Sequence, residues 1–117
     1  MYAVKHGQNL DPRRSSECYI HPGYAWAMRR DAFDSLGGLL EFSIIGAGDI
    51  HFAYGLLNRI EETIPNGVHH DYRYLAKKWG DRLAQITNNG TKVGYLPVNI
   101  WHHWHGHRRD RRYIERW

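Results

Sequence analysis

The sequence predicts an α/β chain, mixed as α+β, with a few strands and two main helices. Two short segments, 24–29 and 93–101, are rich in aromatic and apolar residues and are bounded by glycine, proline and asparagine, the composition of strands. Two longer segments, 50–60 and 70–86, carry apolar residues at spacings of three and four, as an amphipathic helix requires. At 117 residues the chain is one domain's worth, able to bury a modest core.

Taken in order, residues 1–19 form an expected lead-in loop, polar and turn-rich, with Gly7, Asn9, Asp11, Pro12 and Ser15 breaking any period. The domain proper is expected over 20–117. His21-Pro22-Gly23 punctuates the chain before the first strand, whose alternation sets Tyr24, Trp26 and Met28 on one face, with Trp26 in the core. Asp31 is then placed to cap a short helix, 32–36, which Gly37-Gly38 stops. The turn Ile44-Ile45-Gly46-Ala47-Gly48-Asp49 delivers a carboxylate to the N-cap or first turn of the next helix, where Ile50, Ala53, Tyr54, Leu57 and Ile60 form the stripe. Pro65 and Asn66-Gly67 break the chain. The helix from about 70 to 86 follows, with Tyr72, Leu75, Trp79, Leu83 and Ile86 facing the core and Gly80 as its weak point. Asn88-Asn89-Gly90 ends it, and Pro97 sits at an edge or bulge of the last strand.

Composition narrows the class. Hydrophobic content of 42% with 14% aromatic residues argues against disorder, and the mean hydropathy of -0.68 implies a strongly polar surface. The sequence has no apolar run long enough to span a bilayer, and its first residues lack the apolar core of a signal peptide, so a cytoplasmic protein is expected. Cys18 is the single cysteine, which excludes an internal disulfide. The net charge of +4 is concentrated at the end of the chain, in Arg108, Arg109, Arg111, Arg112 and Arg116. Such a segment attracts phosphate, of a nucleic acid or of a nucleotide-sugar.

Two places carry candidate chemistry. Asp49, at a glycine-softened helix start, is a carboxylate stabilised by free amides and the helix dipole; it can serve as a base or simply as a cap. Gly46 and Gly48 beside it allow backbone or ligand to approach closely. The second place is 101–107, which holds His102, His103, His105 and His107 of the nine histidines. Two readings fit it: neutral imidazoles holding a divalent metal or phosphate, and a surface segment of stacked aromatic rings. Trp104 has a flat face suited to a sugar ring, and Arg108 and Arg112 have the fork geometry that pairs with phosphate, against the alternative of a solvated charged face.

In order and spacing, Gly23-Tyr24-Ala25-Trp26-Ala27-Met28-Arg29-Arg30, Gly37-Gly38-Leu39-Leu40-Glu41, Ile45-Gly46-Ala47-Gly48-Asp49 and His102-His103-Trp104-His105-Gly106 with Arg112-Tyr113 resemble the C-terminal half of GT-A-type glycosyltransferases, of the family 2-like and galactosyltransferase-like inverting kind. The resemblance implies a partial GT-A-like fold lacking the N-terminal nucleotide-binding half, since no Asp-x-Asp occurs in the chain. It implies Asp49 as the base that deprotonates an acceptor hydroxyl, with Gly48 in the place of the family's first acid. It implies His105, with His103, as ligands of a Mn²⁺ or Mg²⁺ ion on the nucleotide diphosphate. Trp26, Gly37 and Gly38 would wall the donor-sugar and acceptor pocket, with Trp104, Arg108 and Arg112 completing substrate binding. The partners implied are a nucleotide-sugar donor, a glycan or other hydroxyl acceptor, and a donor-binding half supplied from elsewhere. A basic, aromatic nucleic-acid-binding module without catalysis is the other reading, through the arginines and stacking on Trp101, Trp104 and Tyr113.

Overall fold

A computed structural model describes residues 23–44, 46–101, 103, 106, 107 and 110. Among them the architecture is all-α. Arg30–Leu36 (α1), Gly48–Gly55 (α2) and His70–Thr87 (α3) are α-helices, and Ile60–Thr63 is a 3₁₀ turn. α3 is the centre: α1, α2 and the 3₁₀ turn all pack on it. The expected α/β class is therefore overturned, and with it the sheet of a partial GT-A-like fold.

The two strand-like segments explain the error. A strand exists only where a ladder partner takes its backbone N–H and C=O groups, and among the described residues neither segment has one. Segment 24–29 runs extended over the helices. Trp26 stays 42% exposed rather than buried, and Met28 alone among the six residues is half-buried against the core. In 93–101 the N–H of Val98 donates to the carbonyl of Leu96 at 2.9 Å, a three-residue turn centred on Pro97. Proline fixes φ near the value such a turn needs and offers no donor to a ladder, so the segment bends where a strand would run straight. Leu96 is 80% exposed and Trp101 88%.

Each helix ends the same way, by a left-handed residue whose neighbours close the last carbonyls. At α1, Gly37 (φ 84°) donates to Asp34 and Gly38 to Phe33. At α2, Asn58 (φ 59°) donates to Gly55 and Arg59 to Tyr54. At α3, Asn88 (φ 50°) donates to Gln85 and Asn89 to Ala84. These are Schellman closures, made by the glycine and asparagine residues that tolerate positive φ. The Asn58 closure cuts the helix expected over 50–60 short. α1 also begins earlier than expected, with Arg29 at the N-cap, while Asp31 lies in the first turn and pairs with Arg29 at 2.8 Å.

The core is Leu36, Leu56, Ile60, Ile64, Ala76, Trp79 and Leu83. On α3 the buried face is Ala76, Trp79, Gly80, Leu83, Ala84 and Thr87, turned about one residue from the expected stripe, so Leu75 is 45% exposed. The reason is close approach. A Cβ on Gly80 would stand 2.5 Å from Cγ2 of Ile60, and one on Gly55 would stand 3.1 Å from Cδ2 of Leu83 and 3.7 Å from the Gly80 Cα. The two glycines bring α2, the 3₁₀ turn and α3 together along the small-residue face, which wide residues on both sides would prevent. Thr87 closes the far end, with its hydroxyl in reach of the Leu56, Leu83 and Ala84 carbonyls and accepting from the Gly90 N–H.

Candidate functional site

The turn before α2 is built from reciprocal bonds between Ser43 and Gly46. The Gly46 N–H donates to the Ser43 carbonyl at 3.3 Å, and the Ser43 hydroxyl donates back to the Gly46 carbonyl at 2.5 Å. Gly46 takes φ 132°, and Ala47 follows at φ 64°, a left-handed conformation that costs a non-glycine residue on the order of 1 kcal/mol. The Ala47 carbonyl then accepts the first helical bond, from His51. This strained turn sets Asp49 in the first turn of α2, where its Oδ1 accepts from the Ile50 N–H at 2.9 Å. Its Oδ2 lies over Gly23, 2.7 Å from where a Cβ there would stand.

Asp49 stands at the rim of an open groove of about 260 Å³ lined by Leu39, Leu40, Gly48, Asp49, Phe52 and Trp79. Small-molecule sites begin near 300 Å³, and the groove lies just below that size. Two aromatic rings form much of its wall. Phe52 and Trp79 lie 6.1 Å apart at 50°, and Trp26 meets Phe52 edge-on at 5.0 Å and 67°. Trp79 is fixed by its indole N–H, which donates to the Gly38 carbonyl at 2.9 Å. An apolar aromatic wall with one carboxylate at its edge can hold the C–H face of a sugar and accept a bond from a hydroxyl.

Of the expected pocket residues in the described part, Asp49 and Gly48 line the groove, and Trp26, Gly37, Gly38 and His103 do not. Trp26 touches Phe52 edge-on, the Gly38 carbonyl accepts from Trp79, and Gly37 ends α1. The glycine at 48 is not forced by the fold, since a Cβ there would meet Ser43 Oγ at an ordinary 3.8 Å. His103 is exposed. Trp104, His105, Arg108 and Arg112 lie outside the described residues, as do the lead-in loop 1–19 and Cys18.

Sequence reasoning passed over His51. Its side chain is fully buried, two residues after Asp49, between Thr63 and Tyr72. The proton positions follow from the partners. The Thr63 hydroxyl donates to the Ile60 carbonyl at 2.6 Å, so it can only accept from His51 Nδ1, at 2.7 Å. His51 Nε2 is then an acceptor, and the Tyr72 hydroxyl donates to it at 2.9 Å. Burial pushes the imidazole down to about 4, against the opposing pull of the Asp49 carboxylate, so His51 is neutral near pH 7. Little in the sequence signals this: His51 shares the buried face of α2 with Gly55 and with Tyr54, a member of the expected apolar stripe, but is itself polar.

One further cluster of ligating side chains occurs among the described residues, His69, His70 and Asp71 at the start of α3. No described helix is long and apolar enough to cross a membrane. Comparison with family models, with curated proteins and with solved structures finds no match for this chain.

Proposed function

We propose that residues 20–117 form the acceptor-side half of a glycosyltransferase, in which Asp49 is the general base of an inverting transfer from a nucleotide-sugar. The observation that carries this reading is the placement of Asp49 at the rim of the aromatic groove of Phe52 and Trp79. The resemblance of the sequence blocks to glycosyltransferases supplies the reaction.

In this reading the acceptor sugar lies against the half-buried ring of Phe52, which the buried Trp79 backs, with a hydroxyl toward Asp49. The Ile50 N–H holds Oδ1, which leaves Oδ2 to take the proton. The hydroxyl oxygen bonds to the anomeric carbon as the bond to the nucleoside diphosphate breaks on the opposite face, and the diphosphate leaves. A positioned general base of this kind contributes a rate factor on the order of 10² to 10⁴. The divalent metal implied by the resemblance would neutralise diphosphate charge when bound, with the exposed imidazole of His103 as one donor of suitable chemistry. The role of Asp49 does not depend on it. The nucleotide is held by a donor-binding half from elsewhere together with Arg108 and Arg112.

The test is a saccharide titration followed by tryptophan fluorescence and by amide chemical shifts, and then a transfer assay with a panel of nucleotide-sugars in the presence of the donor-binding half. Shifts confined to Leu39, Phe52 and Trp79, and turnover lost in Asp49→Asn with the fold intact, are expected. Full turnover in Asp49→Asn would end the assignment. One observation favours a second reading, a nucleic-acid-binding module: Trp101 is almost wholly exposed just ahead of the arginine-rich end. Salt-dependent binding of a single-stranded oligonucleotide, unchanged by Asp49→Asn and lost in Trp101→Ala, would establish it instead.

A further inference from the structure

We infer that His69, His70 and Asp71 form a surface site for a divalent ion of the zinc, nickel and copper class, separate from the groove and independent of the glycosyltransferase reading. The donor atoms are already gathered. Nδ1 of His69 lies 3.4 Å from Asp71 Oδ2, Nε2 of His70 lies 3.0 Å from Asp71 Oδ1, and one atom of each residue falls within 4.8 Å of the others. Around an ion bound at about 2.0 to 2.2 Å, neighbouring donors stand roughly 3 to 3.5 Å apart. Both histidine–aspartate separations fall in that range. The two imidazoles lie against one another, with ring centroids 4.1 Å apart and planes at 39°, so both nitrogens are delivered to the same carboxylate.

The donor set selects the metal. Two imidazole nitrogens and a carboxylate that presents one oxygen beside each of them suit zinc, nickel or copper, whereas magnesium and calcium favour sites built of oxygen alone. Three protein donors leave room for water on an ion that stays open to solvent, since the three side chains are 68%, 82% and 69% exposed. The start of a helix repels a cation, and the Asp71 carboxylate is the group that offsets this, so the site requires it. Binding replaces the two exposed histidine–aspartate contacts and the 3.3 Å bond from the Asp71 N–H to His69 Nδ1. It leaves the first helical bond, Arg73 N–H to the His69 carbonyl, untouched.

The histidines at 102–107 offer further imidazole donors, so the experiment must locate the metal and not merely count it. Substoichiometric Cu²⁺ added to the ¹⁵N-labelled chain should broaden the amide signals of 68–73. In His70→Ala and in Asp71→Asn these signals should persist while those of the 102–107 segment still broaden. In a His103→Ala, His105→Ala background, Zn²⁺ affinity should fall in both variants by at least the roughly tenfold that loss of even an outer-sphere partner costs a metal site. Signals of 68–73 that stay sharp in the parent chain, or broaden equally in the variants, would overturn the site. Asp49→Asn should leave it unchanged, which separates its fate from that of the groove.

Discussion

The hydroxyl of Tyr72, in the first turn of α3, donates to Nε2 of His51 on the buried face of α2 across 2.9 Å. With Nδ1 of His51 donating to Thr63, the imidazole ties three elements together, and it does so only in its neutral form. In the unfolded chain the same group titrates near 6.5, and in the fold burial holds it down at about 4. Between these values the unfolded state binds a proton that the folded state does not. The stability this group contributes is therefore fully present above pH 6.5 and is lost as pH falls toward 4, by roughly 3 kcal/mol across the window. Urea midpoints near neutrality and at about pH 5 should show the fall, and His51→Gln should flatten it.

Gly80→Ala sets helix propensity against packing. In an exposed helix the change would stabilise by about 1 kcal/mol. Here the new methyl meets Ile60 from 2.5 Å, and overpacking of a filled core costs about 1 to 3 kcal/mol. A net loss of stability is expected, and in a double-mutant cycle with Ile60→Ala, which removes Cγ2 and Cδ1, the two losses should be less than additive. A melting temperature raised by the single change would refute the contact.

Gly37→Ala should cost about 1 to 2 kcal/mol, because φ 84° is open to glycine and strained for alanine while the surrounding space is free. Gly67→Ala, with no positive φ and no atom within reach, is the matched control and should lie within about 0.5 kcal/mol of the parent. Denaturant unfolding compares the two.

Gly23→Ala bears on the groove alone. The methyl would displace Oδ2 of Asp49, the far end of a side chain free to turn, so stability should hardly change. Saccharide binding at Phe52 and Trp79 should persist, while transfer falls. Equal loss of both would mean that Gly23 acts on the wall and not on the carboxylate.

Trp79→Phe removes the indole N–H that holds Gly38 and leaves that carbonyl without its partner, at about 1 to 3 kcal/mol. Amide exchange at Gly38 and Leu39 should quicken more than at Ala84, which lies more than a turn further along the same helix.

The helices were legible where their signals were local. Gly37, Asn88 and the 3–4 spacing from Tyr72 to Ile86 placed α1 and α3 within a residue or two, because a Schellman closure and an apolar stripe need nothing from elsewhere in the chain. The fold class was not, because segments 24–29 and 93–101 have strand composition but a strand is decided by its partner. The α3 stripe was misplaced by one residue because Gly80 was weighed only as a weak point of the helix, although its smallness is what lets Ile60 pack there. Asp49 and its strained turn were legible from Gly46 and Gly48. The groove beside Asp49 depends on Phe52 and Trp79 meeting from two helices, a juxtaposition that no spacing in the sequence reports. His51 was hidden for the opposite reason, a polar residue occupying a core position.

The Gly55–Gly80 crossing also bears on how the chain reaches its native state. The hydroxyl of Thr87 and the carbonyl of Leu56, at the far end of the same interface, are 31 positions apart, so α2, the 3₁₀ turn and α3 close over a short loop. Short closures are entropically cheap and quick. This hairpin is the unit expected to condense first, before Trp26 and Leu39 come to rest against it. The groove would then be the last surface to form and the first to open.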